Sequence, residues 1–342
     1  MAYISFQPSD YFNTVLYTGT GSTQSITGVG FQPDLVWCKD RTNSYDHVWF
    51  DAVRGATKRI VSNTTGAETT ASTDLTAFAS DGFTVGSGSN INNSGNNFVS
   101  WNWKAGTGQG SSNTDGSINT TYTSVNTTAG FSISQYTGAG STSTVGHGLG
   151  VAPKVIMIKG LSNSGAWQFY HEDIGNNKKL ILNTDGAEIS SGYMNNTSPT
   201  SSVFTVVNDS DVGTSGYTYI AYCFAEKKGF SKFGSYVGNG SGDGTYVHLG
   251  FSPAFVMVKR TDTAKPWQMY DNKRVGYNPD NNQLNANDTA VEATNDFLDI
   301  VSNGFKVRTT DSTMNTSGQT YIFMAFAEAP LVSSNGVPAT AR

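Results

Sequence analysis

Charge is scarce in this chain: Asp, Glu, Lys and Arg make up 14% of its 342 residues, too little for a coiled coil or a charge-laced helical bundle. Lys and Arg run no further than pairs such as Lys227-Lys228, and the net charge is −5, so the basic footprint of a nucleic-acid binder is missing. Long apolar runs are missing too. Runs such as Val155-Ile156-Met157-Ile158 span a few residues, where a bilayer crossing needs roughly 20, so no membrane insertion is expected. Met1-Ala2-Tyr3-Ile4-Ser5 has neither a basic nor an apolar region of leader type, and no secretory signal is expected. There are two cysteines, Cys38 and Cys223, which argues against a disulfide framework and for synthesis in a reducing compartment. Sequons such as Asn63-Thr64-Thr65, Asn126-Thr127-Thr128 and Asn315-Thr316-Ser317 then read as by-products of Asn and Thr richness. Helical periodicity with caps is absent as well; Asp74-Leu75-Thr76-Ala77-Phe78 is the one candidate for a helical turn.

What is present is a pattern written three times. Tyr17-Thr18-Gly19-x-Gly21 returns as Tyr136-Thr137-Gly138-x-Gly140 and as Tyr236-Val237-Gly238-x-Gly240. Each is followed by a Pro that opens an apolar run ending in Lys six residues on: Pro33 to Lys39, Pro153 to Lys159 and Pro253 to Lys259. Fourteen residues after each Pro stand His47, Trp167 and Trp267, and 50 to 52 residues after it stand Phe83, Phe204 and Phe305. Ser94-Gly95, Ser215-Gly216 and Ser317-Gly318 then introduce an aromatic closing strand. A repeat of this length decides the architecture. The modules run over 1–105, 129–226 and 230–330, with 106–128 a Gly/Ser/Thr/Asn-rich linker and 331–342 a C-terminal tail. Ile118 to Val125 is a further candidate for an edge strand. About a hundred residues per module is enough for each to have its own core.

The runs Leu35-Val36-Trp37-Cys38, Val155-Ile156-Met157-Ile158 and Phe255-Val256-Met257-Val258 read as strands covered on both faces, with the Pro at the entrance. The closing strands alternate: Val99, Trp101 and Trp103 share one face, as do Ile220, Tyr222, Phe224 and Ile322, Met324, Phe326. One face of that strand is therefore expected to be core. Short strands with Gly/Asn turns predict an all-β fold of three tandem antiparallel β-sandwich, jelly-roll-like modules.

Chemistry is hard to find. The Gly-x-Gly turns lack the third Gly and the helix of a nucleotide cradle, and positive-φ turns are the simpler reading. His47, His147, His171 and His248 have no second ligand at metal spacing. Glu68, Glu188 and Glu292 recur, as a shared ligand or, preferably, a loop anchor. Asp209-x-Asp211-x-Gly213 resembles the start of a calcium loop without its closing Glu. No carboxylate pair stands out for glycoside cleavage, and no Ser or Cys advertises a base and an orienter. No catalytic residue, cofactor or metal is expected. Aromatics that would stack on sugar rings are Trp167, Tyr193, Trp267 and Tyr277, although the shared position of the two tryptophans favours core packing.

The ordered set Gly30-Phe31-Gln32-Pro33-Asp34-Leu35-Val36-Trp37, Phe50-Asp51-Ala52-Val53-Arg54-Gly55, Ser62-Asn63-Thr64-Thr65-Gly66-Ala67-Glu68, Ser80-Asp81-Gly82-Phe83 and Val99-Ser100-Trp101-Asn102-Trp103-Lys104-Ala105-Gly106 resembles a repeat domain of tailed-phage virion proteins. Those proteins, especially frequent in phages of marine bacteria, are often labelled tail fibre or structural protein. The likeness weakens where Phe-Asp-x-Val-Arg-Gly becomes Tyr170-His171-Glu172-Asp173-Ile174-Gly175 and Tyr270-Asp271-Asn272-Lys273-Arg274-Val275-Gly276. The resemblance implies a virion component made in a bacterial cytoplasm, with other virion proteins as partners and symmetric homo-oligomers.

Three functions compete. The first is a non-enzymatic tail fibre or tail-associated protein that attaches to host-surface glycan, where avidity multiplies weak contacts. The second is a capsid decoration or head-fibre protein whose three modules imitate a trimer. The third is a polysaccharide depolymerase, which needs a cleft with two carboxylates.

Overall fold

The computed structural model describes residues 7–275, 277–279 and 281–330. The fold is all-β and antiparallel, and the repeat shows in its strand order. In the first third the main sheet runs Phe12–Thr18, Asn97–Trp103, Leu35–Asp40, Val48–Asp51, Lys58–Val61 and Thr69–Thr70. The second third keeps this order from Phe131–Thr137 through Thr218–Phe224 and Val155–Gly160, and adds Tyr122–Asn126 outside it. The third runs Ser231–Val237, Thr320–Pro330, Phe251–Arg260, Gln268–Asp271 and Leu284–Asn285. The apolar Pro-to-Lys run therefore lies inside its sheet, beside the closing strand, and is buried on both faces in each repeat. Pro33 and Pro153 precede that strand. Pro253 instead sits within it, where register shifts around Ser252 and Pro253 absorb the missing donor.

A smaller sheet covers the outer face of each main sheet: Gln24–Ile26 with Gly82–Val85 and Leu75–Ala79, Ser143–Gly146 with Val203–Val206, and Tyr246–His248 with Gly304–Val307 and Leu298–Val301. The candidate helical turn at 74–78 thus becomes a strand from Leu75. Its pairing with Gly82–Val85 supplies the backbone bonds a single helical turn would lack. Tyr122–Asn126 shows that the expected linker carries an edge strand.

The closing strand is buried on both faces, not one. Phe98, Tyr219 and Tyr321 face three separate outer cores beneath the small sheets. The inner residues Val99, Trp101 and Trp103 join Ile220, Tyr222 and Phe224, and Ile322, Met324 and Phe326, in one cluster that spans the whole molecule. The expectation of a private core per module is corrected accordingly: each third owns only its outer layer. Their inner faces are apolar throughout, and apolar area is covered best by the equivalent face of a neighbour. Trp103, Phe224 and Phe326 close the pattern. They hold the same repeat position, and their rings meet pairwise at 6.4, 5.5 and 5.7 Å. This triangle marks a pseudo-threefold axis, and each such side chain contributes about 1.5–3 kcal/mol of burial.

Candidate functional site

The repeated polar residues lie at the seams between thirds. Glu68 N–H donates to Leu161 O at 2.9 Å, Glu188 N–H to Thr261 O at 2.7 Å, and Glu292 N–H to Arg41 O at 3.2 Å. First touches second, second touches third, and third returns to first. Trp167 Nε1 follows the same cycle, donating to Val61 O at 2.8 Å, and Trp267 Nε1 donates to Ile181 O at 3.2 Å. His47 takes this position in the first third. Burial holds its pKa well below the ordinary value, with the Asn285 backbone of the last third acting the other way. Lys39, Lys159 and Lys259 are wholly buried. Each Nζ donates to the carbonyl of the next residue, at 2.8, 2.8 and 2.6 Å. Lys39 and Lys159 also reach Thr289 O and Thr65 O across a seam, both at 3.3 Å. Burial lowers all three lysines to about 8.

A buried ion pair stands at two seams. Arg54 Nε donates to Asp51 Oδ2 at 2.5 Å and Arg274 Nε to Asp271 Oδ2 at 2.6 Å, and both guanidinium groups reach the repeated Glu, Glu68 or Glu292, at 3.2 Å. Each Asp also receives a donor from the next third: Tyr222 Oη at 2.6 Å for Asp51, and Trp101 Nε1 at 3.0 Å for Asp271. In the middle third His171 replaces the Asp, and the strand position facing it carries Met324, which has no donor. His171 Nε2 instead lies 3.2 Å from Phe323 O. The Asp-Arg pair is therefore kept in the third repeat, where the sequence likeness had weakened, and lost in the second together with its donor.

The seam from third to first joins side chains 251 residues apart in the chain. There Arg41 forms a two-pronged pair with Glu292, at 2.8 Å on both prongs. Burial would raise Glu292, but Arg41, Arg274 and Asn282 hold it below the usual carboxylate range.

These placements settle most candidate positions. Trp167, Tyr193 and Trp267 are 0, 2 and 1% exposed and offer no ring face to a sugar. The tryptophans fill the shared core, and Lys179 covers Tyr193 at 5.6 Å. Tyr277 alone of the four is exposed, at 72%. Asp211 accepts from Ala166 N–H and Gln168 Nε2, and Asp209 from Asp211 N–H, so these carboxylates organise their own loop. The Gly-x-Gly amides are likewise engaged: Gly21, Gly140 and Gly240 sit at φ of 71, 71 and 70° and donate to Asn92, Gly213 and Asn315 carbonyls. Only glycine adopts that backbone freely. Among the described residues no group of three His, Cys, Asp or Glu side chains could hold a metal, and no helix is long and apolar enough to cross a membrane.

One cleft of about 460 Å³ opens between the second and third repeats. The sequence did not reveal it, because most of its walls carry residues that differ from their counterparts in the other repeats. Lys154, Asp173 and Glu226 form one side, and Lys232, Gly234, Tyr246 and His248 the other. Lys154 pairs with Glu172 at 3.0 Å and Glu226 at 3.5 Å. Burial works against its charge, but these two carboxylates raise its pKa. Lys232 Nζ donates to His248 O at 2.8 Å, and the half-exposed Tyr246 lies 3.2 Å from His248 Nδ1. Such walls can bind a polar chain or a sugar.

Fold and seams together define an all-β protein built from three equivalent thirds closed on one core. The chain belongs to the family described as Domain of unknown function (DUF7483), whose model matches residues 7–330, all three repeats in one stretch. No curated protein and no solved structure matches the chain.

Proposed function

We propose that this protein is a non-enzymatic virion structural protein of a tailed phage, a tail fibre or tail-associated component that contributes to attachment at host-surface glycan. The observation that supports this reading is where the repeated chemistry goes. The recurring Lys, Glu, Asp-Arg and Trp positions hold the thirds together, leaving recognition to surface loops and to the asymmetric cleft between the second and third repeats. Each third is taken as a duplicated β-sandwich module of about 100 residues, supported by its own outer core between two sheets. Tyr277, Tyr246 and Tyr217, all exposed aromatics, are rings available for sugar stacking. Adsorption of purified protein to host cells tests the attachment role. Saturable binding that soluble envelope glycan competes away supports it, and no binding by protein or oligomer removes it.

The pseudo-threefold axis favours one second reading, a decoration or head-fibre protein seated over a threefold site of the capsid. Electron microscopy of the intact particle separates the two: density on the tail ends the head reading, and density on the capsid ends the tail reading.

A further inference from the structure

The cleft of the third repeat has a counterpart in the second, and there it is filled. Aligning Tyr136 with Tyr236 places Phe131–Thr137 on Ser231–Val237, and aligning Phe204 with Phe305 places Val145 of Ser143–Gly146 on Val247 of Tyr246–His248. In the second repeat the chain's own Tyr122–Asn126 adds antiparallel to Phe131–Thr137. Ile118 bridges Val145 of the small sheet, and Thr123 Oγ1 lies 3.0 Å from Ser134 Oγ. The approach of that strand is fastened to the first repeat. Asp34 accepts from the N–H groups of Ala105, Thr107 and Gly108 at 2.8, 3.0 and 2.7 Å, and Gln109 Nε2 donates to Val53 O at 3.1 Å.

The third repeat has the place without the strand. The link around Lys227-Lys228-Gly229 is too short to supply one, and among the described residues Ser231–Val237 ends its sheet as an edge. Lys154 and Asp173, the counterparts of Asp34 and Val53, line the cleft unclaimed by such a segment. Thr121 N–H donates to Gln135 O at 2.7 Å, so the counterpart Ser235, and by strand alternation Phe233, turn their backbone groups toward the cleft. At Gly234, the counterpart of Ser134, a side chain is missing and the buried Phe323 ring packs beneath the cleft in its place: an added Cβ would lie 3.0 Å from that ring. The first repeat differs. Val15 occupies the position of Gly234, and Asn13 Nδ2 spans to Val29 O at 3.2 Å.

We propose that this cleft is a strand-acceptor groove. It takes an extended segment of a partner protein, added antiparallel to Ser231–Val237, with small hydroxyl side chains along the groove and one aromatic or large aliphatic side chain opposite Gly234. An unpaired edge beside a pocket is the general chemistry of strand addition, and the second repeat shows the geometry within the same chain. The inference stands apart from where the protein acts.

The test uses the full chain and a capped peptide of residues 117–126 carrying Thr123→Phe, which puts the ring opposite Gly234. At about 1 mM peptide, within reach of weak specific binding, saturable binding and about tenfold slower hydrogen exchange at Phe233 and Ser235 are expected. Ser235→Pro should abolish both while leaving the melting temperature unchanged, since an edge strand tolerates a proline whose N–H faced outward. No protection at these two amides overturns the proposal. So does equal protection of the Phe233 amide in Ser235→Pro, or a cleft that binds glycan through Tyr246 and ignores the peptide.

Discussion

Tyr222 and Asp51 meet across the first seam at 2.6 Å, hydroxyl to carboxylate, both buried and 171 residues apart. Burial first, and the Asp51 charge second, keep the Tyr222 hydroxyl protonated well above its ordinary pKa. The hydroxyl therefore remains a donor where an ordinary tyrosine would begin to ionise. Tyr222→Phe removes one donor to a charged acceptor and should cost about 1.5–3 kcal/mol. Asp51→Ala strands the buried Arg54 and should cost more, about 3–5 kcal/mol. Urea unfolding of the two variants checks the order.

The exchange of Asp for His in the middle third predicts a coupling. His171→Asp alone places a carboxylate opposite Met324, with no donor and no Arg at position 174, and should destabilise by at least about 2 kcal/mol. Met324→Tyr added to it supplies the missing hydroxyl. The double variant should recover about 1 kcal/mol or more relative to the sum of the singles, read from a double-mutant cycle of unfolding free energies.

The three buried lysines set a pH dependence. Their folded pKa values of about 8 lie below the unfolded value, so between roughly pH 8 and 10 the unfolded chain binds more protons and stability rises with pH. Above about pH 10 the sign reverses. Buried tyrosines such as Tyr136 and Tyr236 are raised by burial, and an unfolded chain free to ionise them gains instead. On the acid side His47 and His171 are lowered by burial, so stability falls as pH drops through about 6.5. Denaturant midpoints at pH 5, 7 and 9.5 are expected to increase in that order.

Trp267 and Tyr277 separate packing from surface chemistry. Trp267→Ala opens the shared core and should cost about 3–5 kcal/mol. Tyr277→Ala should stay within about 0.5 kcal/mol, so any loss of glycan adsorption in it reports recognition and not unfolding. Thermal melts alongside the adsorption assay check both.

The threefold repeat, the β character and the Pro-to-Lys strands were legible because each leaves a periodic trace in the chain. The shared core was not, because Trp103, Phe224 and Phe326 read equally well as the inside of three separate sandwiches. The second face of the closing strand was hidden in the first repeat, where Ser100 and Asn102 look solvent-facing although both are buried. A signal for the seams did exist: Asp51 and Asp271 pair with repeats that carry Tyr222 and Trp101, while His171 faces the repeat that carries Met324. The cleft left no trace because it is defined by a strand that one repeat has and another lacks.

That three thirds form one closed body is tested most directly by native-state hydrogen exchange in a chain with the last seam weakened. Glu292→Ala removes the partner of Arg41 and Arg274 at the contact between third and first. If the body is one, protection of the central strand Val155–Gly160 in the untouched second third falls by the same factor as in Leu35–Asp40 and Phe251–Arg260. If only the latter two lose protection while the second third keeps its own, the thirds are independent and the account fails.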